Sequence, residues 1–255
     1  MANNVALVTG AGSGLGRGIA HRLSADGFTI AIAEIDPSSG HQVAKEIESE
    51  GGTARSFGCD VADIESVTAC ADAIADAFGG VDVLVNNAGF DSPNFFLSTE
   101  PALWDRLIAV NLMGVLNCIY VLAPRIAERT AGSDRGRIIN IASDAGRVGA
   151  LGEAVYSAAK GGVIAFTKSM ARELARDKIT VNAVCPGPAV TPMTDAINET
   201  DIGKMMMDRI IKATPLRRFA EPDDVSAAVS YFASDGARFV TGQAISISGG
   251  LTMHG

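Results

Sequence analysis

The sequence predicts an α/β chain in which one doubly wound sheet of seven parallel strands forms a single domain, and three observations predict it. Apolar strand-like runs alternate with helix-like stretches from end to end, the pattern of a parallel sheet covered on both faces. A glycine-rich turn, Gly10-Ala11-Gly12-Ser13-Gly14-Leu15-Gly16, separates the first strand from the first helix. The 255 residues are 47% hydrophobic and include 28 glycines, enough for a sizeable core and its tight turns, with no repeat or linker to divide them. Residues 1–255 therefore read as one domain.

Residues 5–9 form the first strand, and the helix after the glycine turn runs to about residue 25. A strand, a glycine turn and a helix N-terminus make an anion site, because unpaired N–H groups and the helix dipole face a pyrophosphate. Taken alone, the glycines would be only a tight turn. Strand two, 28–33, ends in Glu34-Ile35-Asp36. A carboxylate there takes the ribose hydroxyls of NAD and repels the 2′-phosphate of NADP. No Arg or Lys stands in the glycine loop or at 34–40. The expected cofactor is NAD, held by Glu34 in preference to Asp36; two solvated acids at a strand end is the plainer alternative.

A helix over 37–50 leads to strand three, 53–59. Asp60-Val61 follows, either meeting the adenine amino group or capping the next helix. In that helix Ile64, Val67, Ala71, Ile74, Ala75 and Phe78 recur at helical spacing and make one stripe for the sheet. Strand four, 81–85, ends at Asn86-Asn87-Ala88-Gly89, where small residues let a cofactor approach and amides can cross-link strands. The loop 90–98 carries Phe95 and Phe96, which wall a substrate pocket or simply pack. Thr99 is expected to cap the next helix, with Pro101 in its first turn. Asn111 interrupts an apolar run and either satisfies backbone groups or holds a water.

Strand five, 137–142, delivers Ser143 to the carboxyl edge of the sheet, where ligands bind. Tyr156 and Lys160, four apart on a helix over 154–176, share one face. A phenol has a reference pKa of about 10, and an ammonium beside it favours the phenolate, so the pair can exchange a proton with an alcohol or ketone. Ser143 can hydrogen-bond the same oxygen. Strand six, 179–184, runs into Cys185-Pro186-Gly187-Pro188. Residues 189–215 are the least regular, with Met205, Met206 and Met207 among Lys204, Arg209 and Lys212. They read as a substrate lid or as an ordinary surface helix with its apolar side inward. A helix over 222–232 and a last strand, 244–248, complete the chain.

The formal net charge of −8 argues against binding to nucleic acid or to an anionic membrane. No run looks long enough to span a bilayer and no signal peptide opens the chain, so a cytoplasmic location is expected. Cys59, Cys70, Cys118 and Cys185 show no C-x-x-C spacing and read as reduced, buried thiols. His21, His41 and His254 lie far apart, and no metal site is expected.

The turn Thr9 to Gly16, Asp60-Val61, Asn86 to Gly89, Asn111, Ser143, Tyr156-x-x-x-Lys160 and Pro186-Gly187 occur in the order and spacing of one family. Over essentially its whole length the chain resembles the short-chain dehydrogenases/reductases. The resemblance implies a Rossmann-type fold with strand order 3-2-1-4-5-6-7 and the catalytic tetrad Asn111, Ser143, Tyr156, Lys160. It implies NAD contacts from Gly10, Ser13, Gly14, Leu15, Gly16, Glu34, Asp60, Val61, Asn87, Ala88, Gly89, Pro186, Gly187, Ala189 and Thr191, with Tyr156 and Lys160 at the nicotinamide ribose. A homotetramer assembled through helices over 101–129 and 154–176 is implied as well.

The implied chemistry is reversible hydride transfer between a secondary alcohol and NAD, with Tyr156 as proton carrier, Lys160 lowering its pKa, and Ser143 holding the reacting oxygen. Within the family, segments 86–91, 99–101, 142–149, 152–156 and 249–253 look like dehydrogenases that oxidise 2-hydroxycyclohexanecarboxyl-CoA to a β-keto thioester. On that likeness Asp144 and Arg147 are expected substrate residues, joined by Phe95 of the loop 90–98 and Met193 of the lid segment. Arg147, Lys204, Arg209, Lys212, Arg217 and Arg218 would serve the CoA phosphates, or are ordinary surface charge. The alternatives are free cyclic or aryl alcohols and ketones; a 3-oxoacyl thioester reductase, disfavoured by Glu34 because that reaction usually runs on NADPH; and a dinucleotide-sensing scaffold without turnover.

Overall fold

The computed structural model describes the backbone of residues 4–190 and 201–253, and the side chains of residues 4–190 and 207–253. Seven strands, β1 (Val5–Thr9), β2 (Thr29–Glu34), β3 (Ala54–Gly58), β4 (Val83–Asn86), β5 (Arg137–Ile141), β6 (Thr180–Pro186) and β7 (Ala244–Ile247), pair in parallel in the order 3-2-1-4-5-6-7. The helices are α1 (Gly14–Ala25), α2 (Pro37–Ser49), α3 (Ile64–Phe78), α4 (Pro101–Ile108), α5 (Gly114–Arg129), α6 (Ala145–Val148), α7 (Ala154–Glu173), α8 (Asp201–Ala213) and α9 (Pro222–Ala233).

The strand period of two splits the apolar residues between two faces. In β1, Val5 and Leu7 join a core with α3, α5 and α7, while Ala6 and Val8 join a second core with α1, α2 and α9. Local chemistry sets the helix starts. Asp36 caps α2 by accepting the Ser38 N–H, with Pro37 in the first turn, and Asp63 caps α3 by accepting the Glu65 N–H.

Several boundaries differ from expectation. Glu34 is the last residue of β2, not the first past it. Thr99 is not a helix cap: Glu100 takes that position, and Thr99 Oγ1 donates to the Phe96 carbonyl while accepting from Trp104 Nε1. Asp60 caps no helix either, since Asp63 does, and its Oδ1 instead accepts the Ala62 N–H at 2.9 Å. The short α6 was not foreseen, and α8 occupies half of a segment read as irregular. On α8 Met207 is buried while Asp208, Arg209 and Lys212 are exposed, the amphipathic pattern of a surface helix.

The helix read over 101–129 is continuous but contains a π turn, Ala109–Met113, between α4 and α5. This 29-residue run is long and apolar enough to cross a membrane by length and composition, contrary to expectation. Here Val115, Cys118, Ile119, Leu122 and Ile126 turn it into the core, against α3 and the sheet. The four cysteines are free thiols and buried.

Candidate active site

Contact fixes the turn after β1. Gly10 sits at φ +63°, and a methyl there would lie 2.8 Å from Ala88 Cα. A methyl on Gly16 would lie 2.2 Å from the Gly10 carbonyl oxygen and 2.4 Å from Asn87 Nδ2. Only glycine meets both demands. Ser13 holds the N-cap position of α1 in extended backbone but makes no capping bond, so the first N–H groups of α1, at Gly14, Leu15 and Gly16, have no side chain from it.

Thr9 Oγ1 accepts the N–H groups of Asn87 and Ala88, each at 3.0 Å. Asn87 Nδ2 returns bonds to the carbonyls of Thr9 (2.9 Å) and Gly10 (3.0 Å), and Asn86 Nδ2 reaches Asn140 Oδ1 on β5 at 2.8 Å. The two amides thus tie β4 to both its neighbours.

Glu34 Oε2 accepts the Gly12 N–H at 2.8 Å, and Oε1 accepts the N–H groups of Ile35 (2.9 Å) and Asp36 (3.3 Å). Backbone donors therefore hold one carboxylate against the glycine turn, whereas Asp36 is spent on α2. Val61 is buried after β3, its carbonyl accepting Asn117 Nδ2 at 2.9 Å. On the other side, the Gly187 N–H donates to the Ile247 carbonyl at 3.0 Å, the Pro186 carbonyl accepts the Asp144 N–H, and Ala189 bridges to Ala220. Thr191 and Met193 lie outside the described residues.

Ser143, Tyr156, Lys160 and Asn111 come together at the carboxyl ends of β4 and β5. Ser143 is near enough to the Tyr156 hydroxyl to favour its ionised form, and it accepts the Ala145 N–H at 3.1 Å. Lys160, 3% exposed, donates to the Ile141 carbonyl at 2.9 Å and lies 5.7 Å from the centre of the Tyr156 ring. Asn111, fully buried in the π turn, donates to the carbonyls of Phe90 (2.8 Å) and Leu107 (3.0 Å). Its Oδ1 has no partner among the described residues. A methyl on Gly89 would come 2.6 Å from that oxygen and 3.3 Å from Lys160 Nζ, so the two side chains converge there. A π turn, common at functional sites, supplies the extra residue that directs Asn111 inward.

Burial pushes the Tyr156 phenol above its ordinary range; the Asp91 and Glu153 carboxylates add to the push and nearby Ser143 opposes it. Burial lowers Lys160 to about 8, with Cys185 and Asp91 acting the other way. The expected lowering of Tyr156 by Lys160 is therefore not found. The ammonium is itself desolvated and is directed at the Ile141 carbonyl, and Ser143 is the group that favours the phenolate.

Beside Tyr156 opens a pocket of about 260 Å³, counting its solvent-open mouth. Its walls come from the loop after β4 (Asp91, Ser92, Asn94, Phe96), from Thr99, from α4 (Leu103, Trp104, Leu107) and from residues 152–156. Phe96 stacks on Trp104 at 4.8 Å. Burial, then the Asp91 charge, raises Glu153 to about 7, and burial raises Asp91.

Three expected substrate residues are placed otherwise. Phe95 is 65% exposed and Phe96 lines the pocket in its stead. Asp144 is buried and accepts the Ser246 hydroxyl, and Arg147 donates to the Ala244 carbonyl (2.9 Å) and Ser246 Oγ (3.1 Å), so both are committed to β7. Among the proposed phosphate partners, Arg217 donates to the Lys212 carbonyl and Arg218 pairs with Asp224. Asp91, Trp104 and Glu153 were not singled out from sequence as pocket residues, although Trp104 is the chain's one tryptophan and Glu153 stands three residues before Tyr156. Among the described residues no cluster of His, Cys, Asp and Glu is placed to hold a metal.

The chain is similar to known proteins along its length. The family model described as enoyl-(acyl carrier protein) reductase matches residues 10–252. A 3-oxoacyl-[acyl-carrier-protein] reductase of Staphylococcus aureus is 41% identical over 97% of this chain and 98% of that protein. Nodulation protein G of Azospirillum brasilense is 42% identical over 98% and 99%. Among solved structures, a tryptophan variant of actinorhodin polyketide ketoreductase with NADPH superposes with a TM-score of 0.91 at 38% identity, covering 98% of this chain and 97% of that one. With the glycine turn, the seven-stranded order and the converging Asn111, Ser143, Tyr156 and Lys160, this chain belongs to the short-chain dehydrogenase/reductase family.

Proposed function

We propose that the protein interconverts a 3-oxoacyl thioester and its 3-hydroxyacyl form with NAD(H), using Ser143, Tyr156, Lys160 and Asn111. One observation carries this reading: the four side chains form a connected run that opens on a pocket beside the Tyr156 hydroxyl. The curated relatives named as a 3-oxoacyl carrier-protein reductase support the thioester class. A ring alcohol such as that of 2-hydroxycyclohexanecarboxyl-CoA is a case of the same chemistry, since its hydroxyl is also β to the thioester carbonyl.

The residues present fit a nicotinamide dinucleotide. The glycine turn leaves no room for a Cβ at Gly10 or Gly16, and α1 begins without a side-chain cap. When bound, such a cofactor supplies or accepts the hydride. Glu34 supports NAD over NADP, because its carboxylate is held against the glycine turn and would repel a 2′-phosphate on a dinucleotide bound there.

The chain's own part is proton handling. The upward shift of Tyr156 keeps a proton on its oxygen in the resting site, ready for the oxygen of a ketone. Ser143 bonds the reacting oxygen and offsets the charge it gains. Lys160, with its lowered affinity for a proton, passes one on, and Asn111 Oδ1 beside it, unpartnered among the described residues, would hold by hydrogen bond a water that links Lys160 to solvent. A homotetramer and a cytoplasmic location belong to the same proposal; exposed Tyr120 on α5 and Phe239 before β7 give an assembly apolar surface to bury.

The test is initial-rate oxidation of NADH and of NADPH with acetoacetyl-CoA and 2-oxocyclohexanecarboxyl-CoA, with cyclohexanone alongside. Turnover of a thioester with NADH supports the proposal. Turnover confined to cyclohexanone returns the reading to free ketones, and faster turnover with NADPH removes the role given to Glu34.

A further inference from the structure

Asp91 lies in the loop after β4, and Glu153 lies at the N-cap of α7, three residues before Tyr156. Both line the same pocket, and the segments that carry them are tied by the Asn94 N–H donating to the Gly152 carbonyl at 2.8 Å. An N-cap position favours a short side chain that accepts a helix N–H. Glu153 makes no such bond: its backbone is engaged, with its N–H on the Ala150 carbonyl (3.1 Å) and its carbonyl on the Ser157 N–H (2.7 Å). Its carboxyl receives no hydrogen bond from any described residue, while Asp91 Oδ1 accepts only the Ser92 N–H at 2.8 Å.

Among the described residues no Lys or Arg lines the pocket, and Lys160 is the cation that acts on Asp91. Among the described residues the titratable groups facing Glu153 are thus Asp91 and Tyr156, neither of which neutralises it.

Resting on the reading above, we propose that Asp91 and Glu153 are specificity-determining residues: they reject substrates with an anionic group near the reacting carbon, and Glu153 donates a hydrogen bond to a neutral acyl carbonyl. A free 3-oxo acid would bring a third carboxylate into a half-buried site already holding two carboxyl groups, and such like-charge contacts disfavour a wrong ligand. Its thioester is uncharged at the same carbon and presents an oxygen that accepts a proton. Burial and the Asp91 charge, which raise Glu153 to about 7, keep it protonated in a good share of molecules at neutral pH, so it has a proton to donate.

The test compares kcat/KM for acetoacetyl-N-acetylcysteamine, methyl acetoacetate and free acetoacetate, in wild type, Glu153→Gln, Glu153→Ala and Asp91→Asn/Glu153→Gln. In wild type both neutral substrates should exceed the free acid by about 20-fold, a like-charge contact with Asp91 of about tenfold multiplied by about twofold from Glu153, which is half ionised near neutral pH. The double variant should narrow that gap by about tenfold or more, through a lower KM for the acid. Glu153→Ala should lose about tenfold on the thioester and Glu153→Gln, which keeps an N–H donor, much less. A neutral-to-acid ratio that is the same in wild type and double variant overturns the proposal and leaves the thioester reaction standing. So does a wild type that handles methyl ester and free acid equally, a result independent of any variant's folding. Absence of turnover on all three substrates removes the functional reading itself, and this proposal with it.

Discussion

The glycine turn and the pocket beside Tyr156 share the carboxyl edge of the sheet, yet they are held by different kinds of contact. The turn is made of backbone in van der Waals contact with backbone: Gly10 against Ala88, Gly16 against the Gly10 carbonyl, and Thr9 bridging two N–H groups of the next strand. The pocket is made of side chains on connecting segments, on α4 and on the first turn of α7, with a methyl placed on Gly152 meeting nothing closer than Asn94 at 3.7 Å, and Glu153 facing Asp91 without a hydrogen bond between them. A ligand common to all members of a fold can be met by backbone geometry, which many sequences reproduce. A ligand particular to one member must be met by side chains, and loops are where these vary at least cost to the core.

Tyr156 stands where the two regions join, and its variants should show the largest effect. Tyr156→Phe removes the group that carries the proton while sparing the ring, so kcat should fall by about 1,000-fold or more. NADH binding, followed by fluorescence titration, should stay within a few-fold; parallel loss of binding would make Tyr156 a structural residue of the cradle. Next come two glycine variants, one in each region. Gly16→Ala pushes a methyl to 2.2 Å from a carbonyl oxygen and should destabilise the fold by about 1 to 3 kcal/mol, with loss of NADH binding. Gly152→Ala meets nothing closer than 3.7 Å and carries only the strain of φ +81°, about 1 kcal/mol. Urea denaturation of both decides whether the cradle is the stiffer region; equal losses would erase the contrast.

The same contrast explains what the sequence made legible. The alternation of strands and helices could be read along the chain, and the strand order followed from the family resemblance; Tyr156 and Lys160 were singled out together because they stand four apart on one helix. Glu34 was found because a strand end followed by an acid is a local pattern. Asp91, Trp104 and Glu153 had no such spacing: they meet because β4 ends, and α4 and α7 begin, at one edge, a property of the fold and not of any window of residues. Asp144 and Arg147 failed for a related reason. Their segment matched, but their side chains turn to Ser246 on β7, about a hundred residues further along the chain. The sense of the Tyr156 shift was misjudged because proximity of Lys160 was weighed without burial, and burial dominates both groups.

The smallest expected effect tests the pocket's electrostatics through stability. Burial and Asp91 raise Glu153 from its ordinary 4.5 to about 7 in the folded chain. Between those values the native state binds more protons than the unfolded one, so this group's contribution is full below pH 4.5 and is lost as pH rises through 7. Lys160, lowered to about 8 from 10.5, acts in a separate window, where stability rises from pH 8 toward 10.5 as its buried charge is relieved. Glu153→Gln should therefore remove the lower slope and leave the upper one. Measured by urea denaturation from pH 4.5 to 7.5, wild type should lose stability relative to the variant as pH rises, by a modest amount because Glu153 is only half-buried and solvent screens it. A constant difference across that range would mean that the carboxyl is fully solvated. The pocket would then repel anions through Asp91 alone, and the neutral-to-acid ratio should respond to Asp91→Asn and not to Glu153→Gln.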